Sequence, residues 1–258
     1  MLQDSLLGQK DPFLLDANMS VADMVKNKMH LGHRYPQNFN TNFSGFVYEV
    51  KDDFVIIDLP STYLYLKRAA SYAALVARYG GVILFYAYSK KHEFICRKAA
   101  VNCSQFYYTG QWKSGMFLEP EKHLKCETLL VDGSLVKNPR IPDVIIIVGC
   151  GSYSFPNVRK DFLSTLSKNE IQEGILSPPA ANLIKEANIN FIPTIGLIDS
   201  DSDPYLVTYP VPGNDDNVCS VEYFLNTISL AIKHGVTILP AEDYERENIT
   251  VPKSHSKH

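Results

Sequence analysis

Five aspartates, Asp199, Asp201, Asp203, Asp215 and Asp216, fall between residues 199 and 216 with no Lys or Arg among them, a local charge of −5. Carboxylates at that density behind a buried strand can hold a divalent cation on a phosphate substrate, because open α/β sheets place ligand crevices beyond the C-terminal ends of their strands. The same residues can instead serve turns. Asp199 and Asp203 suit Asx turns, Pro204 fixes a bend, and Asp215 and Asp216 can cap a following helix. No basic phosphate clamp accompanies the acids, which favours the turn reading.

Two further groups carry chemical potential. His30 and His33 are three residues apart, close enough on a helical turn to share a ligand, but no Cys or carboxylate set in their neighbourhood completes a zinc site. Beside Lys28 and Arg34 they suit hydrogen bonding to backbone or phosphate, and no metal or cofactor is expected. The run 143–148 leads into Gly149-Cys150-Gly151, the first two glycines of a dinucleotide turn, but Ser154 replaces the third and Phe155-Pro156-Asn157 interrupts the helix that should follow. A nucleotide- or phosphate-binding α/β enzyme using the Gly149–Gly151 turn and the Asp199–Asp216 loop is the alternative these features keep open. There is no GxSxG elbow, no Walker sequence and no nucleophile beside an evident base, so no catalytic residue is assigned.

Aromatic and basic residues mix in 86–91 (Tyr86, Tyr88, Lys90, Lys91) and in 106–113 (Tyr107, Tyr108, Trp112, Lys113), a composition suited to stacking on bases and neutralising phosphates. Either segment also fits core aromatics ending in a solvated turn.

The elements that must position these groups alternate. Ser20 predicts the cap of a helix running to about Met29, and two strands near 46–50 and 54–58 are joined at Lys51-Asp52-Asp53. Pro60 opens a helix with Leu66, Ala70, Ala73 and Ala77 on one apolar face, ended by Gly80-Gly81. Val82 to Tyr86 is a continuous apolar run, as in a strand covered on both faces, followed by a helix from Lys90 to Asn102. Residues 143–148 and 191–198 are further buried strands, 180–187 a helix, and 220–234 a last helix closed by Gly235. The alternation predicts an α/β fold with a central parallel sheet between helical layers.

Bulk properties exclude other classes. The 258 residues are 45% hydrophobic and 21% charged, with no apolar run approaching the ~18 residues of a membrane span. The five cysteines are odd in number and scattered, without a CxxC pair, which points to a reducing compartment. Net charge is −3, but residues 89–98 hold Lys90, Lys91, Arg97 and Lys98 against Glu93, so basic ground exists for phosphate. Residues 1–5 have neither an apolar signal core nor the Arg-rich character of a transit peptide. The reading divides the chain into an extension at 1–14, one α/β domain at 15–240 with an irregular insertion near 151–176, and a tail at 241–258.

In order along the chain, these segments resemble the small-subunit ribosomal protein "S-two" family, particularly its mitochondrial members. His30-Leu31-Gly32-His33 resembles its HxGH signature, Phe43-Ser44-Gly45 its IFG step, and Ile56-Ile57-Asp58-Leu59 with Thr62 its IIDL segment. Gly80-Gly81-Val82-Ile83-Leu84-Phe85 matches GGxILF, and Trp112 with Gly115 resembles RWxGG. Pro142-Asp143-Val144 and Ile192 to Asp199 resemble two of its strands, and Tyr209-Pro210-Val211-Pro212-Gly213-Asn214-Asp215-Asp216 reproduces YPxPGNDD. The chain departs from the pattern at Gln111, at Tyr88-Ser89, and at 118–141, which is too short and too broken by Pro120, Gly133 and Pro139 for the long helical hairpin of bacterial members.

The resemblance implies a flavodoxin-like three-layer α/β/α fold lacking that hairpin. It implies a structural, non-enzymatic role in a mitochondrial small ribosomal subunit, with ribosomal RNA and neighbouring ribosomal proteins as partners and neither a membrane nor a small-molecule substrate. Lys28, His30, His33, Arg34, Lys90, Lys91, Arg97, Trp112 and Lys113 are the expected RNA contacts. Gly32, Gly45, Asp58, Gly81, Asp143, Asp199, Pro210, Pro212, Gly213, Asn214, Asp215 and Asp216 are expected to be structural.

Overall fold

The computed structural model describes Phe13 and residues 15–36, 39–110, 112–117, 130–131, 134–135, 140–149 and 180–237. Gln111, Gly151, the 151–176 insertion, the tail and most of the N-terminal extension lie outside these residues.

Two short helices, α1 (Leu15–Asn18) and α2 (Val21–Lys26), open the described chain. The Ser20 hydroxyl accepts from Ala22 N at 3.2 Å, as its position predicts, but α2 ends three residues before Met29 because Lys28 adopts φ 60°. The chain then runs as β1 (Leu31–Arg34), pairs with β3 (Phe54–Ile57), and β3 pairs on its other side with β2 (Val47–Lys51). The turn between β2 and β3 places both Asp52 and Asp53 at positive φ, the tight hairpin geometry whose twist matches antiparallel strands. This small antiparallel sheet stands apart from the main one. Its strand β1 also corrects the histidine spacing: His33 lies on β1 and His30 in the turn before it, so the two do not sit on one helical turn.

The main sheet is built from β4 (Ile83–Ala87), β5 (Phe106–Thr109), β8 (Val144–Val148), β9 (Thr194–Ile198) and β10 (Tyr209–Pro212), all parallel. Two-residue strands β6 (Leu130–Val131) and β7 (Ser134–Leu135) extend its edge antiparallel. The order β10-β9-β8-β4-β5 is the flavodoxin-like arrangement, with its topological switch between β4 and β8. Every residue of β4, β8 and β9 is buried, which is why these strands read as unbroken apolar runs.

Alternate residues feed two cores. Phe85, Ile146 and Leu197 face α3 (Leu59–Arg78), α4 (Lys90–Asn102) and α6 (Val218–Thr237), whereas Leu84, Tyr86 and Ile147 face α5 (Ala181–Ile189) and the aromatic 112–117 segment. Helix α3 carries the predicted stripe, with Leu66, Ala70, Ala73 and Ala77 all buried, and Asp58 caps it by accepting from Ser61 N at 3.2 Å. Those alanines let α6 lie close. Gly235 does not end α6, which continues to Thr237; a Cβ there would come within 2.2 Å of Ala74 O, so its small size is required by helix packing. Among the described residues no helix is long and apolar enough to cross a membrane.

Candidate functional site

The fold gathers four of the five acidic residues, Asp199, Asp201, Asp215 and Asp216, around one imidazole. Asp199 follows β9 and is 1% exposed; its Oδ1 accepts from Ser200 N at 2.5 Å and its Oδ2 from Asp215 N at 3.4 Å. His33, on β1, enters this ring from the small sheet. Its Nδ1 lies 3.2 Å from Asp199 Oδ1, off the line of a good hydrogen bond, while Nε2 lies 3.6 Å from Asp201 and 3.3 Å from Asp216. Ser200, buried and not anticipated from the sequence, holds the two sheets together by accepting from His33 N at 2.7 Å and giving its carbonyl to Asn40 N at 2.9 Å. Gly32 belongs to the same contact, since a Cβ on it would sit 2.8 Å from Ser200 Oγ.

Burial opposes a charged imidazole here, but contact with Asp199 and the fields of Asp199, Asp201 and Asp215 outweigh it and push the His33 pKa up to about 10. His33 is therefore an imidazolium at neutral pH. Asp215 is driven the other way for a carboxylate: burial and the charges of Asp199 and Asp201 raise its pKa well above the usual range, with His33 opposing. Ligand atoms of His33, Asp199 and Asp215 lie within 4.8 Å of one another, a spacing that could hold a divalent cation. The carboxylates that the local sequence could not supply to His33 thus arrive from 166 to 183 residues away. A cation on these atoms would need the neutral ring, so metal binding and protonation of His33 are alternatives.

Asp215 and Asp216 do not cap α6, as their position before it suggested, because they turn towards His33. Asn214 takes that role in the loop, its Oδ1 accepting from Asp216 N and Asn217 N at 2.9 Å each, and Asn217 caps the helix by accepting from Cys219 N at 3.0 Å. Asp203 does form the expected turn, accepting from Tyr205 N at 3.0 Å.

The expected RNA contacts divide into three groups. Lys28, Arg34, Lys90, Lys91, Arg97 and Lys113 are exposed, with Arg34 3.4 Å from Asp53 and Arg97 over the Tyr107 ring at 5.9 Å. Lys90, Lys91 and Arg97 share α4. His30 is half-buried and His33 is committed to the carboxylates. Trp112 is 2% exposed, packed at 6.0 Å from Tyr86, 5.3 Å from Tyr108 and 4.8 Å from Phe117. Its ring is core, not a stacking platform. The strand-exit composition of 106–113 gave no sign of which face the indole takes. Glu186, absent from the sequence reading, fixes this segment from α5: its buried carboxylate accepts from Gly115 N and, at 3.1 Å, from Phe117 N.

Comparison with known proteins decides the family. The family model for ribosomal protein S2 matches residues 24–126 and 177–235, well over half of the chain. This chain belongs to the ribosomal protein S2 family. A small ribosomal subunit protein uS2 of Idiomarina loihiensis is 29% identical over 86% of this chain and 93% of its own length. That of Ehrlichia ruminantium (strain Gardel) is 30% identical over 84% of this chain and 77% of its own. A uS2m of Bos taurus is 28% identical over 88% of this chain and 65% of its own.

As a member of the S2 family the chain is a structural, non-enzymatic constituent of the small ribosomal subunit. The enzyme alternative falls with that assignment. Of its features, Gly149 turns at φ 71° after β8, while the second glycine lies outside the described residues. Several S2 signature residues have local structural work. Asp58 caps α3, Asp143 Oδ2 accepts from Val82 N at 2.8 Å, and Gly213 N donates to Ile198 O at 2.9 Å. Gly81 N donates to Val76 O at 3.0 Å, and Pro210 and Pro212 lie in the edge strand β10, where a missing N–H is tolerated. Gly45 meets no neighbour that would exclude a side chain, and nothing in the structure explains it.

Proposed function

We propose that this S2-family chain works in a mitochondrial small ribosomal subunit, contacting ribosomal RNA through cations at loops and helix ends and adjoining other ribosomal proteins. The observation that carries the RNA reading is a separation of charge. Asp199, Asp201, Asp215 and Asp216 are drawn around His33, while Lys90, Lys91 and Arg97 stand exposed on α4, Arg34 on β1 and Lys28 in the turn before it. Phosphate contacts of this kind position a protein on RNA without reading sequence. The mitochondrial assignment rests on the bovine mitochondrial relative and on the short, Pro- and Gly-broken 118–141 segment.

Charge reversal at Lys90 and Lys91 tests the RNA reading. The K90E/K91E variant should fold normally and lose most of its co-sedimentation with small subunits on a sucrose gradient; undiminished co-sedimentation would count against these residues. The compartment is tested by gradients of purified mitochondria, in which the chain should travel with the mitochondrial small subunit and not with any other particle of the cell.

A further inference from the structure

We infer that Phe94 is an RNA-stacking residue, set at the centre of the cationic face of α4 to receive an unpaired base of the small-subunit ribosomal RNA. The inference rests on the RNA reading above and adds to it a residue of a different chemistry. Phe94 is 74% exposed, although α4 has a well-buried opposite face of His92, Ile95, Cys96, Ala99 and Ala100. The helix therefore has no need of it for packing.

Its surroundings select the occupant. At about 100° per residue, Phe94 lies about 40° from both Lys90 and Lys98 and about 60° from both Lys91 and Arg97. Four cations thus frame one exposed aromatic ring. The opposing charges are few: Glu93 stands about 100° round the helix from Phe94, and Glu222 of α6 pairs with Lys98 at 3.0 Å. An apolar protein partner would have to desolvate these ammonium and guanidinium groups around the ring, whereas a nucleic acid strand brings phosphates to them and a π face to the phenyl. A regular duplex keeps its bases stacked within the helix, so the ring can reach a base face only where a base is unpaired.

The test compares F94A, F94L and F94W in the full-length chain, using protein-free small-subunit ribosomal RNA in a filter-binding assay and gradient co-sedimentation in parallel. Thermal unfolding serves as a control for folding, which substitution at so exposed a position should leave unchanged. Both F94A and F94L should bind the RNA about tenfold more weakly, equivalent to about 1.4 kcal/mol, and F94W should bind within about twofold of wild type. If F94L binds like wild type, the site wants apolar bulk and not a ring face, and the inference fails. It also fails if F94A binds RNA normally, and a loss of co-sedimentation alone in that variant would identify a protein neighbour instead. Because K90E/K91E is measured alongside, weakened binding there with normal F94A binding would overturn stacking but leave the RNA reading intact.

Discussion

Replacing His33 by Gln should destabilise the fold by about 3 kcal/mol at pH 7 and abolish a specific pH dependence. A histidine protonated up to about pH 10 instead of 6.5 corresponds to roughly 5 kcal/mol of favourable charge interaction in the folded state. That figure is an upper limit, because Asp216 is 71% exposed and solvent screens its share. Removing one member of a buried pair costs about 3–5 kcal/mol, since the remaining charge stays desolvated. Here the orphan would be Asp199, 1% exposed, with two backbone N–H groups still serving it. The low end of that range is therefore expected.

The sign follows from the raised pKa. Stability contributed by protonated His33 is complete below about pH 6.5 and is lost as pH rises from there through about 10. Urea unfolding of wild type and H33Q at pH 6, 7.5, 9 and 10 isolates this contribution as the difference between them, which cancels the titration of groups common to both. The difference should shrink steadily across that window. A constant difference, or one near zero at pH 6, would refute an imidazolium at the centre of the carboxylates. Measuring D199N and the double variant should give a coupling of about 1.5–3 kcal/mol, as contacting partners usually do.

Two other substitutions test packing inferred from close approach. G235A should destabilise by about 2–3 kcal/mol, read as a lower urea midpoint, because the added methyl meets the Ala74 backbone, which cannot move aside as a side chain could. E186A should strand the Gly115 and Phe117 N–H groups, costing about 2–3 kcal/mol and altering the near-ultraviolet circular dichroism of the Trp112 cluster.

The parallel core was legible because its signals are local. Buried strands β4, β8 and β9 are unbroken apolar runs, the alanine spacing of α3 marks its face, and the helix expected over Lys90–Asn102 has those bounds in the structure. What failed depends on partners distant in sequence. Strand β1 pairs with β3 at only two register points around an irregularity, so it shows no alternation to detect. The partnership of His33 with Asp199, and of His33 N with Ser200 at a separation of 167 residues, has no local pattern at all. Gly235 looks like a terminator in the sequence because composition identifies a glycine without saying whether its conformation or its small size is needed. Trp112 looks like a ligand-facing aromatic for a related reason: residue type is visible in the sequence, but the layer the ring enters is set by β4, β5 and α5 together.

The position of the imidazole also explains why a scaffold known for binding ligands can serve as a structural component. Open α/β sheets bind small molecules beyond the C-terminal ends of their strands, near the switch in strand order. In this chain Gly149 follows β8, Asp199 follows β9 and Asp215 follows β10; a Cβ on Gly149 would lie 4.0 Å from Asp215 Oδ2. The crevice region is thus lined by carboxylates, and His33 enters it from a sheet that the main fold does not require. An internal cation occupies the charge environment that a bound ligand or metal would otherwise experience. Its energy goes into docking the small sheet on the large one, through His33 and the Ser200 hydrogen bonds. In that arrangement the acidic loop is a joint within the protein, in keeping with the proposal that RNA meets the exposed cations of α4 together with Lys28 and Arg34.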